Sequence, residues 1–315
     1  MYKSFSRVGG DRLLWRLDGQ RLRVLCYHGV CDDHLAGAPW LPSVFVTRSS
    51  FVEQLEYLRR EANVLPLEEA VDRLRDGSLP PRSVSLTFDD GYANNLRLAV
   101  PSLRLYGLRA NIFVSSRYVE TGEMFPFLKI KLIRLWLRER RATAPLLDYG
   151  ANPLDQVMQC AAPLWEEFKS RLTTSQRETL RPMSIAELRE ADTETVTFSA
   201  HSDAHCVLRN ESDDRRRSEI ALSVEKVSAW TGRPVRAFAY PNGELGDFGE
   251  IDKQALRDAG VRVAVSGISG ANGPDADVLA LRRYPITIGH DAERFSAEVT
   301  GFSSAARSLL RSWRS

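Results

Sequence analysis

An α/β fold built on a parallel sheet, open or closed into a barrel, is the architecture that this 315-residue sequence predicts. Two observations carry it. Short β-rich runs recur seven times, and the segments between them keep a helical period. Polar clusters fall directly after those runs, where a parallel α/β barrel places its chemistry. A chain of this length can bury a large core, and as a barrel it can be one domain.

The first run, LRVLCYH (22–28), precedes a helix, FVEQLEYLRREA, that Ser49 or Ser50 can cap. SVSLTF (83–88) is the second, followed by NNLRLAVPSLRLY, which Gly107 stops. ANIFVSS (110–116) is the third. Residues 120–194 then break the rhythm with a mostly helical pattern, an expected insertion. Inside it, FLKIKLIRLWLRERR (127–141) sets Lys131, Arg134, Arg138 and Arg141 along one helical face and Ile130, Ile133 and Leu137 along another. Such a helix either packs on the barrel with its basic face in solvent or lies on an anionic membrane surface.

TVTFSAH (195–201) resumes the strands. A long helix from about Ser212 to Gly232 follows, with Ile220, Val224 and Val227 on its sheet-facing side. VRAFAYP (235–241), VRVAVSG (261–267) and LRRYPIT (281–287) complete the set. The domain thus spans 22–300, between an N-terminal extension (1–21) and a basic tail (301–315).

Global composition excludes more than it proposes. Forty-three basic against 41 acidic residues leave a net charge of +2, so nothing argues for a nucleic-acid partner. Cys26, Cys31, Cys160 and Cys206 form no CxxC pair, which argues against a disulfide scaffold and a thiolate zinc site. No apolar run approaches the ~18 residues of a membrane span, and the N-terminus lacks a secretory pattern. The expected location is cytoplasmic, with peripheral contact at the inner face of the membrane through the basic helix 127–141.

The chemistry lies in two motifs. LTFDDGY ends a strand on adjacent carboxylates, Asp89 and Asp90, whose side chains leave an extended strand on opposite faces. In AHSDAH, His201 and His205 stand four apart, close enough to reach one ion from a single turn, and a carboxylate would complete a three-ligand site. One aspartate can then serve as ligand while its neighbour takes a proton from water activated by the ion. A plain Asp-Asp-Gly turn is the alternative for an isolated doublet. Tyr92 and Tyr240, beside these motifs and the FAYPNG segment, are candidate aromatic walls of the site, or else packing residues.

LTFDDGY, AHSDAH and FAYPNG in this order resemble the polysaccharide deacetylase family, carbohydrate esterase family four with its NodB homology domain. LCYHGV, RANIFV and RRYPI extend the similarity from about residue 22 to 300, apart from the insertion. The resemblance implies a distorted (β/α) barrel of about seven parallel strands and metal-dependent removal of N-acetyl groups from an acetamido sugar. Carried over by position, Asp89 matches the catalytic base, and Asp90, His201 and His205 match the ligands of a divalent ion: Zn2+, or else Co2+, Ni2+ or Mn2+. The substrate side would include His28, Tyr92, Tyr240, Pro241 and Asn242, with a backbone N–H near Asn242 on the developing oxyanion.

Two positions depart from the family pattern. Ala239 stands where many members carry an arginine that orients the base, leaving Arg236, Arg282 or Arg283 to supply that charge. The general acid, usually a histidine near the end of the domain, has His290 in ITIGHDAERF as its candidate. His28 shares the predicted rim and can contact substrate, act as the acid, or simply be a hydrogen-bonded residue at a strand end. The alternatives in function are an amide or O-acetyl ester of a small molecule, and a non-catalytic glycan-binding homologue.

Overall fold

A computed structural model of the chain describes residues 20–142 and 154–301, together with Trp15; the remaining parts of the expected extension, insertion and tail lie outside these. All seven predicted runs contain strands. They are β1 (Arg23–Tyr27), β5 (Ser83–Phe88), β6 (Ala110–Val114), β7 (Val196–Ala200), β8 (Ala237–Ala239), β9 (Val263–Ser269) and β10 (Leu281–Pro285). Every pairing among them is parallel, and β1 bonds to both β5 and β10, so the sheet closes into a seven-stranded barrel. Three two-residue strands are added: β2 (Val30–Cys31) pairs with β3 (Val46–Thr47), and β4 (Asn63–Val64) lies beside β5.

Strand alternation sorts the core. Leu25, Tyr27, Leu86, Phe88, Ile112 and Val114 pack with the surrounding helices. Val24, Phe113, Ala239, Val265 and Leu281 form a second cluster, joined by Leu67, Val71 and Leu74 of a helix (Leu67–Arg75) that precedes β5. Apolar side chains from five strands in one cluster fill the barrel. Its C-terminal end is left to polar residues.

Helix boundaries follow local chemistry. The long helix, Asp213–Thr231, starts from Ser212, whose side chain accepts from Arg215 N, and ends on Gly232 in the left-handed region (φ 66°). Ile220 and Val227 on it are fully buried. Gly107 (φ 64°) stops the helix Val100–Tyr106 in the same way. One cap differs from expectation. Thr47, not Ser49 or Ser50, caps the helix Arg48–Glu61, accepting from Ser50 N at 3.2 Å, while Ser49 N and Oγ are drawn to the Asp33 carboxylate.

Between β6 and β7 the described residues are helical: Ser116–Thr121, Pro126–Glu139, Leu154–Phe168, Thr174–Leu180 and Ile185–Glu190. The helix Pro126–Glu139 buries Ile130 and Ile133 completely, and these meet Val157 and Ala161 of the next helix. Burial of such a side chain is worth about 1.5–3 kcal/mol, so this contact fixes the helix's rotation. Arg141 lies beyond the helix end. No helix among the described residues is long and apolar enough to cross a membrane.

Candidate active site

At the C-terminal end of the barrel the strands deliver their polar residues to one cleft of about 780 Å3. His28 follows β1, Asp89 and Asp90 follow β5, His201 and His205 follow β7, Asn242 follows β8, and Arg283 lies on β10; all seven line the cleft. The β9 residue Gly267 completes this side, because a Cβ there would lie 2.3 Å from Asn242 O. The close approach of the two loops therefore requires glycine.

Asp89 is 3 % exposed and paired within the protein. Arg283 grips it with two parallel bonds, Nη1 to Oδ1 and Nη2 to Oδ2, both 2.7 Å. The guanidinium is itself held, Nε donating to Ser266 O at 2.8 Å and Nη1 to Thr87 Oγ1 at 3.3 Å. Cys26 Sγ lies 3.4 Å from Asp89 Oδ2. Burial alone would raise the Asp89 pKa; the charge and hydrogen bonds of Arg283, with the nearby His201 and His28, together outweigh it and hold the carboxyl at about 2. The charge absent at Ala239 thus comes from the far side of the barrel closure.

Asp90 is equally buried but differently served. Its backbone is left-handed (φ 71°), as are Gly91 (φ 74°), Ser202 (φ 56°), His205 (φ 54°) and Asn242 (φ 58°) around the same rim. Non-glycine residues in this region are uncommon, and their clustering marks a rim bent to aim side chains. His205 Nε2 stands 3.0 Å and His201 Nε2 3.5 Å from Asp90 Oδ1, yet that oxygen has no hydrogen bond of good geometry. His201 Nδ1 donates to Ala239 O at 2.7 Å, which leaves the Nε2 lone pair of the neutral ring directed at the carboxylate.

Convergent lone pairs are unfavourable without a cation between them. Asp90, His201 and His205 each offer an atom within 4.8 Å of the others, and an N2O donor set of this kind suits a zinc-type ion with positions left open. These residues fit a divalent metal. The loop that carries the histidines is pinned from the long helix, where Glu219 Oε2 accepts from Ala204 N at 2.7 Å and Glu219 O from Asp203 N at 3.1 Å. Asp203 in turn accepts from Ser116 Oγ (2.6 Å) and Lys226 Nζ (3.1 Å).

Of the expected substrate residues, His28 and Asn242 reach the cleft. Burial lowers the pKa of His28, whose Nδ1 has no hydrogen-bond partner. Asn242 Nδ2 is tied to Asp247. The two tyrosines are corrections. Tyr92 is fully buried against Phe45 and Phe125, and Tyr240 is buried with its hydroxyl on Leu279 O (2.9 Å) and its ring stacked on Phe248 at 3.9 Å. Both rings serve packing, as does the buried Pro241. Nor does His290 line the cleft. Its turn folds the ring back, Thr287 N donating to His290 Nδ1 at 3.0 Å, and Gln54 Nε2 holds its carbonyl. Sequence reasoning missed one feature outright: Lys131, Arg134 and Arg138 of the helix Pro126–Glu139 line this same cleft.

Comparison with known proteins agrees with this geometry. The chain is 20% identical over 281 residues to the Bacillus subtilis protein YxkH, covering 89% of this chain and 76% of that one. Among solved structures, the Streptococcus pyogenes deacetylase PplD in complex with acetate superimposes with a TM-score of 0.62 at 17% identity, over 89% of this chain and 98% of that one. IcaB from Ammonifex degensii does so with a TM-score of 0.62 at 20% identity, over 90% and 98%. The family model for polysaccharide deacetylase matches residues 76–264, from just before β5 through the first residues of β9. With more than half of its length matched by that model, the chain belongs to the polysaccharide deacetylase family.

Proposed function

We propose that the protein removes N-acetyl groups from an acetamido sugar by metal-assisted hydrolysis, with Asp89 as base. The observation that carries this reading is a buried, arginine-held carboxylate beside a convergent Asp90, His201 and His205 set in one cleft. A zinc-type ion held by those three residues would polarise the acetyl carbonyl and make water a stronger nucleophile near neutral pH.

The chain's own groups do the rest. Asp89, kept ionised by Arg283, accepts a proton from the attacking water at a carboxylate oxygen. The Asn242 backbone N–H, on a left-handed turn at the rim, faces the oxygen on which negative charge develops. His28, unlike His290, lines the cleft and is not one of the metal-site histidines; burial favours its neutral ring, so it relays to the departing nitrogen the proton that Asp89 took from water. The C–N bond breaks, and acetate and a free amine leave.

Acetate release from a panel of acetylated sugars, amines and esters tests the reading. N-acetylated sugars should be turned over best, and Asp89→Asn should abolish release while the protein remains folded. Equal turnover by Asp89→Asn, or a preference for esters, would overturn it.

A further inference from the structure

The helix Pro126–Glu139 presents cations to the cleft rather than only to solvent. Lys131, Arg134 and Arg138 follow at i, i+3 and i+7, one helical face, and all three line the cavity that holds Asp89, Asp90, His201 and His205. The adjacent face is locked by Ile130 and Ile133, which pack on Val157 and Ala161, so this orientation is built in. Two basic residues of the same stretch that do not line the cleft have acidic partners: Lys129 meets Glu123 at 3.2 Å, and Arg140 meets Glu167 at 3.4 Å. The cleft-facing set does not. Lys131 Nζ donates to the Leu41 carbonyl, and its pKa is lowered by burial; among the described residues no side-chain hydrogen bond or ion pair holds the Arg134 or Arg138 guanidinium.

The charge balance of the cleft points the same way. Its carboxylates are Asp89, Asp90 and Glu244. Arg283 matches Asp89, and Asp90 belongs to the metal site. Glu244 alone then faces three cations. An uncharged glycan offers such a wall neutral acceptors but no charge to balance it.

Resting on the de-N-acetylase reading, we infer that the substrate carries a phosphate ester or phosphodiester next to its acetamido sugar, and that Arg134 and Arg138, with Lys131, bind it. A phosphoryl group offers several accepting oxygens, and guanidinium forks match it by paired bonds. Two sources share this chemistry, a soluble sugar phosphate and a lipid-linked sugar phosphodiester presented at a membrane.

Titration calorimetry on the full, metal-loaded chain tests the inference. The probes are N-acetylglucosamine-1-phosphate, its long-chain lipid phosphodiester in neutral phosphatidylcholine vesicles, the neutral N,N′-diacetylchitobiose, and an N-acetylglucosamine disaccharide carrying a glucuronate. Phosphate-bearing probes should bind about tenfold or more tighter than the neutral one, an advantage that shrinks as salt rises. In the Arg134→Gln/Arg138→Gln double variant the ratio between phosphate-bearing and neutral probes should collapse toward one. Arg140→Gln, outside the cleft, should leave the ratio intact and control for general charge loss.

Equal binding of the soluble and lipid probes supports a soluble substrate; tighter lipid binding supports a membrane-presented one. Phosphate-bearing and neutral probes binding alike, a stronger preference for the glucuronate, or a double variant that weakens both classes by one factor would each overturn the inference. Arginine-dependent phosphate binding without acetate release from any probe would instead defeat the de-N-acetylase reading and leave the phosphate site standing.

Discussion

Asp89 and Asp90 are neighbours in sequence, and each is only 3 % exposed, yet the fold treats them in opposite ways. Asp89 receives a cation from the chain itself, Arg283, with both oxygens engaged. Asp90 receives two imidazoles whose directed nitrogens leave its Oδ1 without a proper hydrogen bond. The difference teaches how two like charges share a strand end. One is neutralised internally, as the base of the proposed mechanism would need, and the other is left incomplete, as a ligand of the proposed ion would be.

The largest effect should come from attacking the incomplete half. Asp90→Ala or His201→Ala removes a ligand, and equilibrium dialysis should show loss of stoichiometric divalent-metal binding, with acetate release falling on the order of a thousandfold or more. Metal retained at full affinity would erase the contrast between the two carboxylates.

Attacking the complete half should look different. Arg283→Met strands a buried carboxylate at a cost of about 3–5 kcal/mol in urea unfolding, and Arg283→Met/Asp89→Asn should recover much of it. The sign with pH is defined. In the unaltered protein, Asp89 titrates at about 2 against an ordinary 3.8, so its stabilisation is present above pH 3.8 and is lost as pH falls toward 2. In Arg283→Met, burial is no longer opposed by the arginine and the pKa rises. The acid limb of kcat/KM should then move to higher pH, and an unmoved limb would show that Arg283 does not hold the base.

A smaller effect is expected one layer back. Glu219→Leu touches no ligand but releases Ala204 N, between His201 and His205. Metal affinity should fall about tenfold, within the range of supporting contacts around metal sites, without a matching loss in Arg283→Met. Smallest of all is a carboxylate far from the cleft. Glu187, bonded to Arg181, titrates at about 2 against 4.5 and so stabilises above pH 4.5 and less as pH falls toward 2. Because the pair is about a third exposed, Glu187→Gln should change thermal stability by less than about 1 kcal/mol, with the difference from the unaltered protein vanishing near pH 2.

The barrel was legible because most strands are short apolar runs, with β1, β5, β6 and β8 buried on both faces, and because helical segments separate them. Asp89, Asp90, His201 and His205 were legible as local spacings. Arg283 was legible only as one of three candidates with Arg236 and Arg282, since its partner lies 194 residues away and its neighbour Arg282 looks the same in sequence. The tyrosines misled for a related reason. After β5 ends, left-handed Asp90 and Gly91 redirect the chain before Tyr92, so adjacency to a motif says little about which way a ring points. Periodicity likewise revealed the basic face of Pro126–Glu139 but could not reveal that this face meets the cleft.

The closure of β1 on β10 has a consequence for synthesis. Asp89 leaves the ribosome 194 residues before the arginine that neutralises it, an interval of about 10 to 40 s at ~5–20 residues per second. Throughout that interval the barrel lacks a stave and the base lacks its counter-charge. If the proposed mechanism holds, a nascent chain therefore cannot hydrolyse its substrate until nearly all of the domain has been translated, and the last strand becomes the step that switches activity on.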